Sequence, residues 1–195
     1  GLTDDRAPVP VERRGPATLE ALAGAALIRY SRYIDPYSGA MIPFEEGMER
    51  LTFLRDRFLE NGPSVVLEVS PWNQRTVGRF LEGPAGQPRC FEHAAVDGTT
   101  AISLAAAAEG SVVVWAAREP DWLAGACKAA KVPLQRMEDG FLRSVGLGLA
   151  RVRPMSLVVD PVGIHFNGGA PSRFEQLAEG LPHDPVLAER GRALR

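Results

Sequence analysis

Cysteine is scarce. Cys90 and Cys127 are the only two in 195 residues, and neither belongs to a CxxC pair or a ligand cluster. That excludes a disulfide scaffold and a thiolate zinc site, and it fits a reducing cytoplasm. Long apolar runs are missing too. The longest, such as SVVVWAA at 111–117, fall far short of the about 20 residues a membrane span needs. The first residues carry no signal-peptide pattern, although peripheral contact with an inner membrane stays open. A surplus of positive charge is also absent, and the formal net charge of −2 excludes a general nucleic-acid binder. Only two of the 22 basic residues are lysines, Lys128 and Lys131, a skew that genomic base composition explains as well as function does. The three histidines, His93, His165 and His183, have no partners at metal-ligand spacing. No phosphate loop ending in Lys-Ser/Thr and no GxSxG nucleophile motif occurs, and GLGLAR puts Arg151 where a dinucleotide fingerprint needs its third small residue.

The length allows one full-sized α/β domain with a real core. Residues 1–16, rich in proline and charge, read as a linker or ragged end, and 17–195 as the domain. Asp35–Ala40 (DPYSGA) reads as a turn. Phe44, Met48, Leu51, Leu54 and Phe58 recur at helical spacing and predict a helix over 44–60. Strands are expected at 65–69, 89–93, 111–116 and 132–137, with helices from Ser70 to Leu81 and at about 99–108 and 121–131. Short strands alternating with helices predict a Rossmann-like, three-layer α/β fold around a mostly parallel sheet. Further on, 155–160 and 162–166 read as paired strands turning at Asp160-Pro161. Ser172 and Glu175 form a capping box opening a helix that Gly180 closes, and a last helix starts near Asp184.

Ligands of such sheets bind beyond the carboxyl ends of the strands. Four loops are expected there: Ser70–Asn73, Val96–Thr100, Ala117–Asp121 and Glu138–Gly148. The last belongs to RMEDGFLRSVGLG at 136–148, which crowds charges and glycines where a core strand uses neither. Glu138 and Asp139 are strand neighbours and point to opposite faces, so one faces the cleft while the other ties down the turn. Arg143 is in reach of both. Its planar fork suits a substrate carboxylate or phosphate, and equally an internal carboxylate in a buried Asp–Arg pair. Gly146 and Gly148 permit unusual φ or close backbone approach. Arg136, Arg143, Arg151 and Arg153 outnumber the two acids, a balance that favours an anionic substrate or makes a solvated arginine face. Trp72, in the first turn of a helix at a strand end, either faces a sugar ring or packs.

As a whole, EDGFLRSVGLG (138–148) followed by PMSLVVDPVGIHFNGGAPSRFEQL (154–177) resembles the bacterial capsular polysaccharide biosynthesis and export family, whose enzymes are β-Kdo transferases. RYIDPYSGAMIPFEEGMERL, VSPWNQRTVGRFL and VVVWAAR extend the likeness over about residues 29–180, in the same order. The resemblance implies one half of a GT-B glycosyltransferase, the acceptor side. It implies transfer from CMP-Kdo with retention, without metal or organic cofactor. It places Glu138, Asp139, Gly140, Arg143 and Ser144 in the family's acidic cleft motif. The implied partners are an anionic glycolipid or oligosaccharide acceptor and a second Rossmann-like half or partner protein, with no nucleic acid. The donor-side motifs have no counterpart here, so no turnover is expected from this stretch alone. The alternative is a non-catalytic binding or assembly module in capsule export. Two departures bear on substrate contacts: Gly163-Ile164-His165-Phe166-Asn167 lacks the family's carboxylate, and Trp72-Asn73 lacks its cation.

Overall fold

The computed structural model describes residues 17–144, 152–180 and 184–194, so the expected linker at 1–16, Gly146, Gly148, Arg151 and His183 lie outside the described residues. The chain divides into two compact units, one up to Arg57 and one from Phe58.

In the first unit, α1 (Leu19–Ala23) starts at Thr18, whose hydroxyl caps it by accepting from Ala21 N–H, and it winds on as a π-helix over Gly24–Tyr30. The strands β1 (Tyr33–Ile34) and β2 (Met41–Ile42) pair antiparallel around the expected turn. Asp35 organises that turn. Its Oδ1 accepts from Tyr37 N–H at 2.8 Å and its carbonyl accepts from Gly39 N–H at 2.9 Å. Gly39 takes φ +72°, a left-handed value that side chains resist. The helix α2 (Phe44–Glu60) has the bounds its apolar spacing predicts, and Tyr33 meets Phe44 edge-on at 5.7 Å.

The second unit is built on a five-stranded sheet: β3 (Ser64–Leu67), β4 (Arg89–Cys90), β5 (Ser111–Trp115), β6 (Leu134–Asp139) and β7 (Leu157–Asp160). The strands lie in the order β4-β3-β5-β6-β7, all parallel except β7, which runs back along β6. Valines dominate the central strands because a strand covered on both faces needs apolar side chains on both. Alternation divides them. Val65, Leu67, Val112 and Val114 pack with Ala101 and Ala105 of α4 (Ala94–Ala107) and with Leu123 and Cys127 of α5 (Leu123–Ala129). Val66, Val113 and Met137 pack on the other face with Val77 of α3 (Pro71–Phe80). Each such fully buried side chain contributes about 1.5–3 kcal/mol. This is the expected three-layer α/β arrangement around a mostly parallel sheet. The free thiols Cys90 and Cys127 lie in it, and burial pushes Cys90 up to about 11.

Three expectations need correction. The helix α4 begins at Ala94 rather than near 99, so Val96–Thr100 is helix and not a ligand-edge loop. Gly98 is a packing site inside that helix: a β-carbon there would lie 2.3 Å from Trp122 Cη2. The strand at the acidic motif spans 134–139 rather than 132–137, because Glu138 and Asp139 still pair with Val158 and Leu157.

The third is residues 162–166, which form no strand. The Asp160 carboxylate explains this: Oδ1 accepts from Val162 and Gly163 N–H groups at 2.8 and 2.9 Å, curling the chain after Pro161. Oδ2 accepts from Arg173 N–H at 2.8 Å, at the start of α6 (Arg173–Gly180). The capping box is present, with Ser172 N–H donating to Glu175 Oε2 at 2.7 Å and Glu175 N–H to Ser172 Oγ at 3.3 Å. The last helix, α7 (Pro185–Ala193), is capped by the Asp184 side chain.

Candidate functional site

From β3 the chain moves outward through α3 to β4, and from β5 it moves the other way through α5 to β6. The carboxyl ends of β3 and β5 therefore flank a topological switch point, where the departing connections leave a crevice. That crevice holds about 120 Å³ and is lined by Glu68, Val69, Ser70, Trp72, Asn73, Trp115 and Arg118.

Local structure at the end of β3 prepares this crevice. Glu68 sits at φ +62°, uncommon for a residue with a side chain, and the twist turns its carboxylate toward α4. There Oε1 accepts from Ala94 N–H at 2.7 Å. The preceding His93 supplies no side-chain cap, so Glu68 satisfies the first amide of α4. Pro71 opens α3 at a position where its missing N–H costs nothing. Asn73 follows in the first turn, 4% exposed, and its Oδ1 has no hydrogen-bond donor among the described residues. A buried amide oxygen left unmatched is a cost that a ligand hydroxyl would remove. Arg118 Nη1 donates to Ser70 Oγ at 3.2 Å across the crevice mouth.

Two strands along, the acidic motif reaches the same rim. Glu138 and Asp139 do part company. Asp139 accepts from Arg143 Nε in a close ion pair, and Arg143 Nη1 donates to Ser144 Oγ and to the Val152 carbonyl, both at 2.9 Å. Arg143 is thus engaged with the chain itself, the internal-pair alternative of the two its fork allows. Gly140 makes the return tight. Its N–H donates to the Ser156 carbonyl at 3.0 Å, Ser156 Oγ donates to the Leu142 carbonyl at 2.7 Å, and Met155 N–H donates to the Arg143 carbonyl.

Glu138 faces the end of β5, where Ala117 N–H donates to its Oε2 at 3.3 Å. Burial pushes its carboxyl above the usual range, opposed by the Ala117 and Asp139 amides, and the Asp139 charge adds to the rise. A carboxyl whose folded pKa exceeds its unfolded one costs no stability in acid. The cost grows as pH rises from the unfolded value, about 4.3, through the folded one. Glu138→Gln is therefore expected to raise the melting temperature at neutral pH and to leave it unchanged at acid pH, as paired thermal melts will show.

Residues 110–191 match the family described as capsule polysaccharide biosynthesis protein. The chain is 29% identical over 190 residues to the capsule polysaccharide modification protein LipA of Neisseria meningitidis serogroup A, a match covering 94% of this chain and 26% of that protein. Over 65 residues it is 49% identical to the lipopolysaccharide-processing protein LpsZ of Rhizobium meliloti, covering 32% of this chain and 15% of that protein. By these matches the chain is similar to proteins of capsule polysaccharide biosynthesis. A solved structure, Thermosulfurimonas dismutans KpsC, beta Kdo 2,7 transferase, aligns with TM-score 0.46 and 25% identity, over 68% of this chain and 40% of that one. The chain spans about a quarter of the length of the LipA relatives.

The stretch that matches the capsule family begins just ahead of β5 and so contains the acidic motif, while Trp72 and Asn73 lie ahead of it. Sequence reading names Trp72, and the structure seats it on the crevice wall, 37% exposed. Glu68 and Trp115 come to the same crevice without having been singled out, while Asn73 and Arg118 belong to two of the loops expected at this edge. One signal for Glu68 was present: a charged residue inside VVLEV cannot sit within a strand covered on both faces.

Of the four arginines behind the expected positive balance, two are neutralised, and Arg151 lies outside the described residues. Arg136 makes a two-pronged pair with Glu119 at 2.7 and 2.8 Å, and Arg143 pairs with Asp139. His165 packs against Phe141, Phe166 and Phe174, with centroids 4.9, 5.4 and 6.4 Å away, so it is part of an aromatic cluster. Among the described residues no three His, Cys, Asp or Glu side chains gather as metal ligands, and no helix is long and apolar enough to cross a membrane.

Proposed function

We propose that this chain is the acceptor-side part of a retaining β-Kdo-transferase-like glycosyltransferase in capsule polysaccharide biosynthesis. In this reading the donor is CMP-Kdo, the acceptor an anionic glycolipid or oligosaccharide, and turnover requires a second Rossmann-like half. The carrying observation is the switch-point crevice. It offers two indoles, Trp72 and Trp115, and the unmatched acceptor Asn73 Oδ1, on the rim that also carries the acidic motif. An indole accepts the apolar face of a sugar ring, and a buried acceptor selects a hydroxyl. The ordered motif set from Tyr33 to Leu177 supports Kdo chemistry in particular. Arg143 acts here as a positioning residue, holding Asp139 and the turn so that Glu138 stays open to the cleft.

A Kdo-terminated oligosaccharide titrated calorimetrically against the 195-residue chain tests this. Binding that weakens about tenfold in Trp72→Ala and in Asn73→Ala is the expected result, the loss of one stacked ring or one buried hydrogen bond. Equal binding by the wild type and both variants would remove the crevice from sugar recognition.

A further inference from the structure

The residues Arg75 and Arg79 stand one turn apart on α3, on the helical face that also carries Trp72 but farther from the N-terminus. Arg153 approaches them from the segment that leads into β7. Together with Thr76, Phe80 and Pro154 they line a pocket of about 480 Å³, and among the described residues no carboxylate belongs to its wall. None of the three arginines makes an ion pair or a side-chain hydrogen bond with any described residue. That sets them apart from Arg136 and Arg143, each held by an acid. Three like charges converging on one depression repel one another unless an anion joins them.

We propose that Arg75, Arg79 and Arg153 bind the phosphate group of a phosphate monoester, which presents three terminal oxygens. Three guanidinium forks carry more donors than the two oxygens of a carboxylate can accept, whereas a phosphate presents enough oxygens for all three. Phe80, 38% exposed, and Pro154 form an apolar wall on which the organic part of the ester rests. The site does not depend on the sugar-transfer reading, since it shares no lining residue with the switch-point crevice.

The same headgroup chemistry occurs in soluble esters and in membrane lipids, and two arms separate them. Glycerol 3-phosphate is titrated calorimetrically against the full chain. In parallel, the chain is sedimented with phosphatidylcholine vesicles with and without phosphatidic acid, a lipid phosphomonoester. Binding that falls about tenfold or more in the Arg75→Gln/Arg79→Gln double variant, and again in Arg153→Gln, is expected. Binding in the first arm identifies a soluble phosphate monoester as sufficient, and binding only to phosphatidic acid vesicles identifies a lipid headgroup. Arg79→Lys keeps the charge and loses the fork, so it should recover part of the affinity. Arg75 and Arg79 are exposed on the helix, so the double variant melts like the wild type and remains interpretable if Arg153→Gln does not fold. No binding in either arm, binding insensitive to the arginines, or equal binding of acetate would each overturn the proposal.

Discussion

Replacing Asp160 with alanine is expected to lower the melting temperature by about 10 °C, a loss of about 3 kcal/mol. Asp160 is 1% exposed and its two oxygens accept from the N–H groups of Val162, Gly163 and Arg173. Alanine leaves those donors without acceptors inside the fold, where each costs about 1–3 kcal/mol. The damage also spreads along the chain, because the same carboxylate ties the end of β7 to the start of α6.

Burial acts to raise the Asp160 carboxyl, but the amides of Gly163, Val162, Arg173 and Phe174 outweigh it and hold the group below the usual range. Its folded pKa being depressed, the charged form contributes stability above the unfolded value of about 3.9, and the contribution disappears as pH falls through the folded value. Melts of Asp160→Asn against wild type should therefore differ at neutral pH and converge in acid. A constant gap across the range would mean that shape, and not charge, is what the site needs.

Gly140→Val is the second large effect, about 3 kcal/mol of destabilisation. A β-carbon on residue 140 would stand 2.2 Å from Ser156 Oγ and 2.7 Å from Ser156 Cβ. Ser156 cannot swing away without giving up its bond to the Leu142 carbonyl, so β6 and β7 must part at the rim. Amide hydrogen exchange should accelerate at Glu138–Leu142 and at Ser156–Val158 and stay slow in β3 and β5. Uniform acceleration across the sheet would place the strain elsewhere. The glycine of the acidic motif is thereby accounted for by strand packing, before any ligand is considered.

Much of this architecture is legible in the sequence, and the misses have definite causes. The α2 bounds follow from apolar residues at helical spacing because nothing in Phe44–Glu60 competes with that period. The β6 position is misread because Glu138 and Asp139 look too polar for a strand. At the rim, where β6 leaves the core, the backbone still pairs with β7 while the side chains leave the sheet plane. Residues 162–166 mislead in the opposite sense: their apolar character serves burial of Ile164, 4% exposed, and not strand pairing. The crevice is the least legible part. Glu68 and Arg118 are far apart in the chain, and only the order β4-β3-β5 makes neighbours of their strands' ends. Spacing along a sequence carries no record of that.

The reversed direction of β7 has a consequence for how such a domain diverges. A parallel strand would bring only its outgoing connection to the ligand edge. Because β7 runs back along β6, the edge receives both the residues that leave β6 and those that enter β7. Both ends of that join are tied to each other, through Gly140 N–H to the Ser156 carbonyl and Met155 N–H to the Arg143 carbonyl, so substitution at either end is felt in both strands.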